Sequence, residues 1–206
     1  MNINIHNTSF ILHTPNGKIK ILLPFLGYHN ISNALASSAI AFSLNIPLVI
    51  IKKGLSNASI KSGRLELIQL SSQKILINDT YNSNVASMIA AIKVLEKMPG
   101  YKILITGDMS ELGKNSQLYH KVIGNTLRIT EINKVLSIGK FSVEISKYSQ
   151  NGEHYTHLLE LKKRLKKIIL NQIPMTILVK GSRNIRMEKI VEYIIQEDKK
   201  NDLLVQ

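Results

Sequence analysis

From Gly63 onward, four short apolar runs alternate with stretches whose apolar residues recur every three or four positions. The runs are Lys74–Ile77, Ile103–Ile105, Val135–Ile138 and Ile177–Val179. Runs this short and this rich in Ile, Leu and Val read as strands covered on both faces. Between them Val85, Met88, Ile89, Ile92 and Leu95 fall at helical spacing, as do Val122, Ile123 and Leu127, then Leu158, Leu161, Leu165, Ile168 and Ile169. A last helix is expected from about Asn184 to Glu197. Strands joined by helices need crossovers, which makes neighbouring strands parallel. The pattern therefore predicts an α/β domain with a mainly parallel sheet.

The first 62 residues read differently. Ser9–His13 and Lys18–Leu23 flank Thr14-Pro15-Asn16-Gly17, and Asn-Gly between two apolar runs signals a β-hairpin. Ile31, Ala34, Leu35, Ala39 and Phe42 then mark one face of a helix beginning at about Asn30. A second helix follows Pro47 and ends near Asn57.

The four strands lead into Asn78-Asp79, Thr106-Gly107-Asp108, Gly139-Lys140 and Lys180-Gly181-Ser182. Glycine, charge and hydroxyl thus gather at their carboxyl ends, where open α/β sheets bind ligands. A single Gly or Asp there serves equally to turn the chain. Asn30 and Asn33 stand one turn apart at a helix entry, and carboxamides read the donor and acceptor edge of adenine; Asn30 equally suits a helix cap. Asp79 lies in a loop with two hydroxyls and a phenol and can grip a ribose diol, while Ser83 caps the helix that follows. Asp108 and Glu111 place two carboxylates at the next strand end, suited to a substrate ammonium or a metal-bound phosphate, or simply to solvent. Lys180-Gly181-Ser182-Arg183 opens a helix whose free N–H groups suit a carboxylate or phosphate. Lys180 reads there as a solvent-facing cation.

Other chemistries are poorly supported. Zero cysteines exclude disulfides, zinc knuckles and thiol catalysis. Gly107 to Gly113-Lys114-Asn115 has one residue too many for a P-loop and ends in Asn, and no G-x-G-x-x-G occurs. His6, His13, His154 and His157 show no ligand spacing, so no metal ligand is assigned. The net charge of +13 invites a nucleic-acid-binding module. Most of the excess is lysine in a chain rich in Ile, Asn and Lys, and the aromatic and arginine repertoire for base stacking is thin. Lys162-Lys163-Arg164 and Lys166-Lys167 read as a solvated helix face. No apolar run is long enough to span a bilayer and no secretory signal opens the chain, so a cytoplasmic location is expected.

In chain order, GYHNISNALA, SGRLELI, NDTYNSN, GDMSELG with His120 downstream, and LVKGSR resemble the second half of the Mur ligases, in the branch that adds D-alanyl-D-alanine. The resemblance covers nearly the whole chain, up to the polar tail after about Glu197. It implies a Rossmann-like carboxyl-terminal domain over residues 63–206, preceded over residues 1–62 by the tail end of a central ATPase domain. It also implies a peptide ligase of peptidoglycan precursor synthesis, which joins D-alanyl-D-alanine to UDP-N-acetylmuramoyl-tripeptide through an acyl-phosphate, with ATP and Mg2+. On that pattern Asn30 and Asn33 resemble adenine-side contacts, and Arg64 and Asp79 resemble ribose and phosphate contacts. Tyr81, Asn84, Asp108, Lys180 and Ser182 would face the dipeptide or the acyl-phosphate, with Lys180 and Asp108 as the catalytic pair. Tyr28 departs from the arginine frequent before His-Asn in the family. The P-loop lysine, the catalytic Glu and His and the modified lysine that helps bind magnesium have no counterpart in this sequence, so the resemblance implies a piece of a longer enzyme, half of a split enzyme whose companion chain carries the other half, or a non-catalytic substrate- or partner-binding domain left by gene splitting or decay. A hairpin and two helices cut from a larger sheet are expected to leave an apolar face uncovered.

Overall fold

The computed structural model describes residues 2–3, 7–25, 27–59, 61–71, 73–171 and 173–205, so His6 lies outside the described residues. The chain divides into two compact units, Met1–Lys61 and Ser62–Gln206.

In the first unit, β1 (Asn2–Ile3), β2 (Thr8–Thr14) and β3 (Gly17–Leu23) form an antiparallel sheet in that order. Thr14 pairs with Gly17, which leaves Pro15 and Asn16 as a two-residue loop. Two helices follow, α1 (Tyr28–Ser43) and α2 (Leu48–Ser56). Alternation along the hairpin turns Phe10, Leu12, Ile21 and Leu23 inward to pack with Ala34 and Ile51. Ile40, Leu44, Val49 and Ile50 each stay more than half exposed.

The second unit contains β4 (Glu66–Gln69), β5 (Lys74–Asp79), α3 (Val85–Glu96), β6 (Tyr101–Gly107), α4 (Ser116–Leu127), β7 (Lys134–Ile138), α5 (Val143–Tyr148), β8 (Gly152–Tyr155), α6 (Leu158–Ile169), β9 (Met175–Lys180) and α7 (Glu188–Val205). Its sheet has the order β4-β5-β9-β6-β7-β8, parallel throughout except for β4. This is an α/β fold with a largely parallel mixed sheet. Leu76, Ile103, Ile105, Leu136, Ile177 and Val179 are fully or almost fully buried in its core beside Leu161, Leu165, Ile190 and Ile194.

The last helix differs from its expected span at both ends. Arg183–Ile185 form a short 3-10 turn and Arg186 adopts φ 57°, so α7 begins only at Glu188. It continues past Glu197 because Asp198 is buried: Asp198 Oδ2 accepts from Ser71 N at 2.8 Å, and Lys74 Nζ lies 3.6 Å from Oδ1. The crossover through α3 steps over one position in the sheet, and β9 fills it. The carboxyl ends of β5, β9 and β6 therefore lie side by side, and three of the motifs meet there.

Candidate functional site

The β5–β9 register places Asp79 beside Lys180, so both side chains leave the sheet on one face. Lys180 Nζ lies 2.6 Å from Asp79 Oδ2 and donates to Asn82 O at 3.0 Å. At 2% exposure Lys180 is not the solvent-facing cation that the sequence suggests, because β9 is central and the neighbouring strand supplies its counter-ion. Asp79 Oδ1 accepts from Leu65 N at 3.1 Å, and Tyr81 N donates to Gly63 O at 2.9 Å. The SGRLELI segment is thereby tied to the NDTYNSN loop. Leu65 pays for this with a left-handed backbone, φ 49°. The exposed Arg64 guanidinium stacks 4.1 Å from the centroid of the half-exposed Tyr81 ring. Arg64, Asp79, Tyr81 and Lys180 thus form one cluster.

Ser182, 1% exposed, joins three strand ends. Its hydroxyl donates to Ser83 O at 3.1 Å and accepts from Ser110 N at 2.7 Å, while its backbone N–H donates to Asp108 O at 3.1 Å. Ser110 Oγ in turn donates to the exposed Asn184 Oδ1 at 2.7 Å. Gly181 is required by packing, since a Cβ there would stand 2.6 Å from Met187 Cγ. The cap of α3 is Asn84, not Ser83 as expected. Asn84 Oδ1 accepts from Ser87 N at 2.8 Å, and Ser87 Oγ accepts from Asn84 N at 3.0 Å. This reciprocal capping box needs a side chain three positions before its partner, which Asn84 supplies and Ser83 does not.

Asp108 binds backbone. Its carboxylate accepts from Lys140 N at 2.8 Å, Phe141 N at 3.0 Å and Ser142 N at 2.7 Å, tying the end of β6 to the loop that opens α5. Gly139 has φ 139°, and a Cβ there would collide with the Asp108 carboxylate. The fully buried His120 supports the same loop: its Nε2 accepts from Met109 N at 2.9 Å, which leaves Nδ1–H to donate to Ser116 O at 2.7 Å. Glu111 is exposed on a left-handed backbone, φ 63°.

Asn30 and Asn33 belong to the first unit, where Asn33 Nδ2 donates to Asn30 Oδ1 at 3.3 Å. Asn30 is not a cap, because α1 starts two residues earlier and Gly27 occupies the cap position.

A polar cluster on the far half of the sheet escaped sequence reasoning. Glu153 on β8 accepts from Lys134 Nζ at 2.8 Å, from Arg164 through two nitrogens at 2.9 and 3.0 Å, and from Tyr155 Oη at 2.6 Å. The Arg164 bonds, assisted by Lys134 and Tyr155 and opposed by burial, hold the Glu153 carboxyl down at about 2. Burial first, and then Glu153, pushes the Tyr155 phenol up to about 12. Nearby, burial lowers the His154 imidazole against the opposing pull of Asp108. No local pattern announces this cluster, because its members come from β7, β8 and α6.

Among the described residues, no three His, Asp or Glu side chains stand together as a metal site. No helix among them is long and apolar enough to cross a membrane.

Residues 63–183 match the family model described as Mur ligase, glutamate ligase domain. Over 96% of its length the chain is 61% identical to a UDP-N-acetylmuramoyl-tripeptide--D-alanyl-D-alanine ligase of Buchnera aphidicola, of which it covers 44%. The ligase of the same description from Escherichia coli is 46% identical over 93% of the chain and 42% of that protein. A crystal structure of MurF from Acinetobacter baumannii superposes with a TM-score of 0.90 at 33% identity, covering 95% of this chain and 43% of that one. The chain thus spans less than half the length of the relatives it matches.

Proposed function

The chain belongs to the Mur ligase family, whose members are ATP-dependent ligases, and we propose that it supplies the carboxyl-terminal part of a ligase that adds D-alanyl-D-alanine to UDP-N-acetylmuramoyl-tripeptide in the cytoplasm. Residues 63–206 then serve as the Rossmann-like carboxyl-terminal domain and residues 1–62 as the end of the central ATPase domain. A companion segment carries the P-loop and the magnesium ligands. The observation that carries this reading is the meeting of the NDTYNSN, GDMSELG and KGS segments at three adjacent strand ends, bound together through Ser182 and the Lys180–Asp79 pair.

In this reading Arg64 and Tyr81 present a cation and an aromatic face toward the nucleotide and the dipeptide. Lys180, paired with Asp79, is the buried positive charge of the cluster. Acyl-phosphate formation and amine attack both accumulate negative charge, so catalysis rests on positioning and cationic stabilisation. Asn30 and Asn33 take the adenine side. Asp108 and Ser182, whose hydrogen bonds go to backbone, act by holding the three loops in register. Asn84 keeps its amide group for the dipeptide while its oxygen caps α3.

The test is a chimaera in which this chain replaces the matching part of the Escherichia coli relative. Phosphate release from ATP that requires both UDP-N-acetylmuramoyl-tripeptide and D-alanyl-D-alanine is the expected result. A further expectation is a fall in kcat/KM of at least about tenfold in Lys180→Ala, equivalent to about 1.4 kcal/mol. A folded chimaera without dipeptide-dependent turnover would refute the proposal.

A further inference from the structure

Three successive residues after β6 are each held by a bond to another element. The Asp108 carbonyl accepts from Ser182 N at 3.1 Å, Met109 N donates to His120 Nε2 at 2.9 Å, and Ser110 N donates to Ser182 Oγ at 2.7 Å. The middle bond comes from α4, outside the three loops that meet at the site. His120 is fully buried, and its Nδ1 lies 2.7 Å from Ser116 O. A carbonyl oxygen only accepts, so Nδ1 carries the proton and Nε2 keeps the lone pair that the Met109 N–H requires. Two neighbours thus demand the same tautomer.

The base from which His120 reaches is fixed. One turn further along α4, a Cβ on Gly124 would stand 2.7 Å from Tyr148 Cβ and 2.9 Å from Glu144 O, so α4 sits flush on α5. The Phe141 ring packs beside the imidazole at 5.8 Å between centroids, and Phe141 N donates to Asp108 Oδ1 at 3.0 Å. From Met109 the bonds run on to the site. Ser182 Oγ, which accepts from Ser110 N, donates to Ser83 O at 3.1 Å, and the neighbouring Asn82 O accepts from Lys180 Nζ at 3.0 Å. An apolar side chain would fill the same space without desolvating two ring nitrogens. What the imidazole adds is a fixed direction for the Met109 N–H.

We propose that His120 is a positioning residue for the reaction at the three strand ends. From α4 it sets Met109 and Ser110, and through them the Ser182 hydroxyl that holds the Asn82–Ser83 segment and with it the Lys180 ammonium. The reaction itself rests on the ligase reading; the relay of bonds does not. His120 acts by alignment alone, and a misplacement of reacting groups by about 1 Å costs up to about a hundredfold in rate.

Two substitutions each keep one of the two ring bonds. His120→Gln puts an amide oxygen where Nε2 stands and keeps the bond from Met109 N, whereas His120→Asn puts an amide NH2 where Nδ1 stands and keeps the bond to Ser116 O. In the chimaera with the Escherichia coli relative, kcat for dipeptide-dependent phosphate release should fall at least about tenfold in His120→Asn and stay within about threefold of the parent in His120→Gln, both assayed well below their melting temperatures. Ser182→Ala cuts the relay, so adding His120→Asn to it should cost less than about threefold more, where independent sites would multiply. In the unsubstituted full chain, nitrogen NMR should find the His120 proton on Nδ1. Amide exchange at Ser110 should accelerate in His120→Asn and not in His120→Gln. Equal kcat in the two variants, multiplicative effects with Ser182→Ala, a proton on Nε2, or equal exchange at Ser110 overturns the proposal. An inactive parent chimaera counts against the ligase reading, and exchange at Ser110 then decides the relay.

Discussion

Replacing Lys180 by Met removes a charge from the interior while keeping most of the side chain's length and volume. Lys180 is 2% exposed and its Nζ stands 2.6 Å from a carboxylate whose own side chain is only 12% exposed. Deleting one partner of such a pair strands the other, at a cost of about 3–5 kcal/mol. Asp79 keeps its bond from Leu65 N, so the lower end applies and Lys180→Met should cost about 3 kcal/mol. For a unit of about 150 residues each kcal/mol moves Tm by roughly 3–4 °C, so the shift should be about 10 °C. A solvent-facing lysine would move stability by only about 0.5 kcal/mol. Near-ultraviolet circular dichroism follows the correct unit, because six of the seven tyrosines lie beyond residue 62. Adding Asp79→Asn to Lys180→Met removes the stranded charge and should recover about 2 kcal/mol. A loss below about 1 kcal/mol in the single variant, or a double variant no more stable than the single, would refute the buried-pair account.

Glu153→Gln tests the edge cluster through its pH dependence. The folded-state pKa of about 2 lies below the ordinary 4.5, so the stabilisation is present above pH 4.5 and is lost as pH falls toward 2. Urea unfolding across that range should show a shallower pH slope in Glu153→Gln and, after solvent screening, a loss of about 1–2 kcal/mol at neutral pH; identical slopes would contradict the assignment. Gly139→Ala drives a Cβ into the Asp108 carboxylate on a backbone with φ 139° and should cost about 2–3 kcal/mol. Amide exchange at Phe141 and Ser142 should accelerate with it, and unchanged protection there would show that Asp108 does not hold this loop.

The parts of the fold that were legible share one physical property, burial on both faces of the sheet. It turns β5, β6, β7 and β9 into continuous apolar runs that stand out in the sequence. At the sheet edges β4 and β8 are half-buried, and their residues, Glu-Leu-Ile-Gln and Gly-Glu-His-Tyr, carry no such pattern. Nor does local sequence say that the last strand inserts between the first two strands of the parallel set. That insertion decides the fate of the site. It puts Lys180 in the centre of the sheet, opposite an aspartate 101 positions away, so the position of the cation was readable and its burial was not. The capping error has a smaller scale: Ser83 and Asn84 are adjacent and equally good cap formers, and only the reciprocal bond to Ser87 separates them.

The buried pair also bears on how Lys180 can meet a substrate. An ammonium has three donors, and Lys180 directs two of them to Asp79 Oδ2 and Asn82 O. A substrate oxygen can therefore be bound by the third N–H without breaking the ion pair, which would cost far more than one hydrogen bond returns. Reaching it is a different matter, since the side chain is covered by the loops after β5 and β9. Those loops are joined by the bond from Ser182 Oγ to Ser83 O, and Ser182 is fixed in turn by Ser110 N. Opening a path to Lys180 means displacing the Asn82–Ser83 segment relative to Ser182. Under the proposed function, exposing the charge this way breaks the Ser182–Ser83 bond and the Lys180–Asn82 bond together, about 2–4 kcal/mol that contacts to the ligand have to offset.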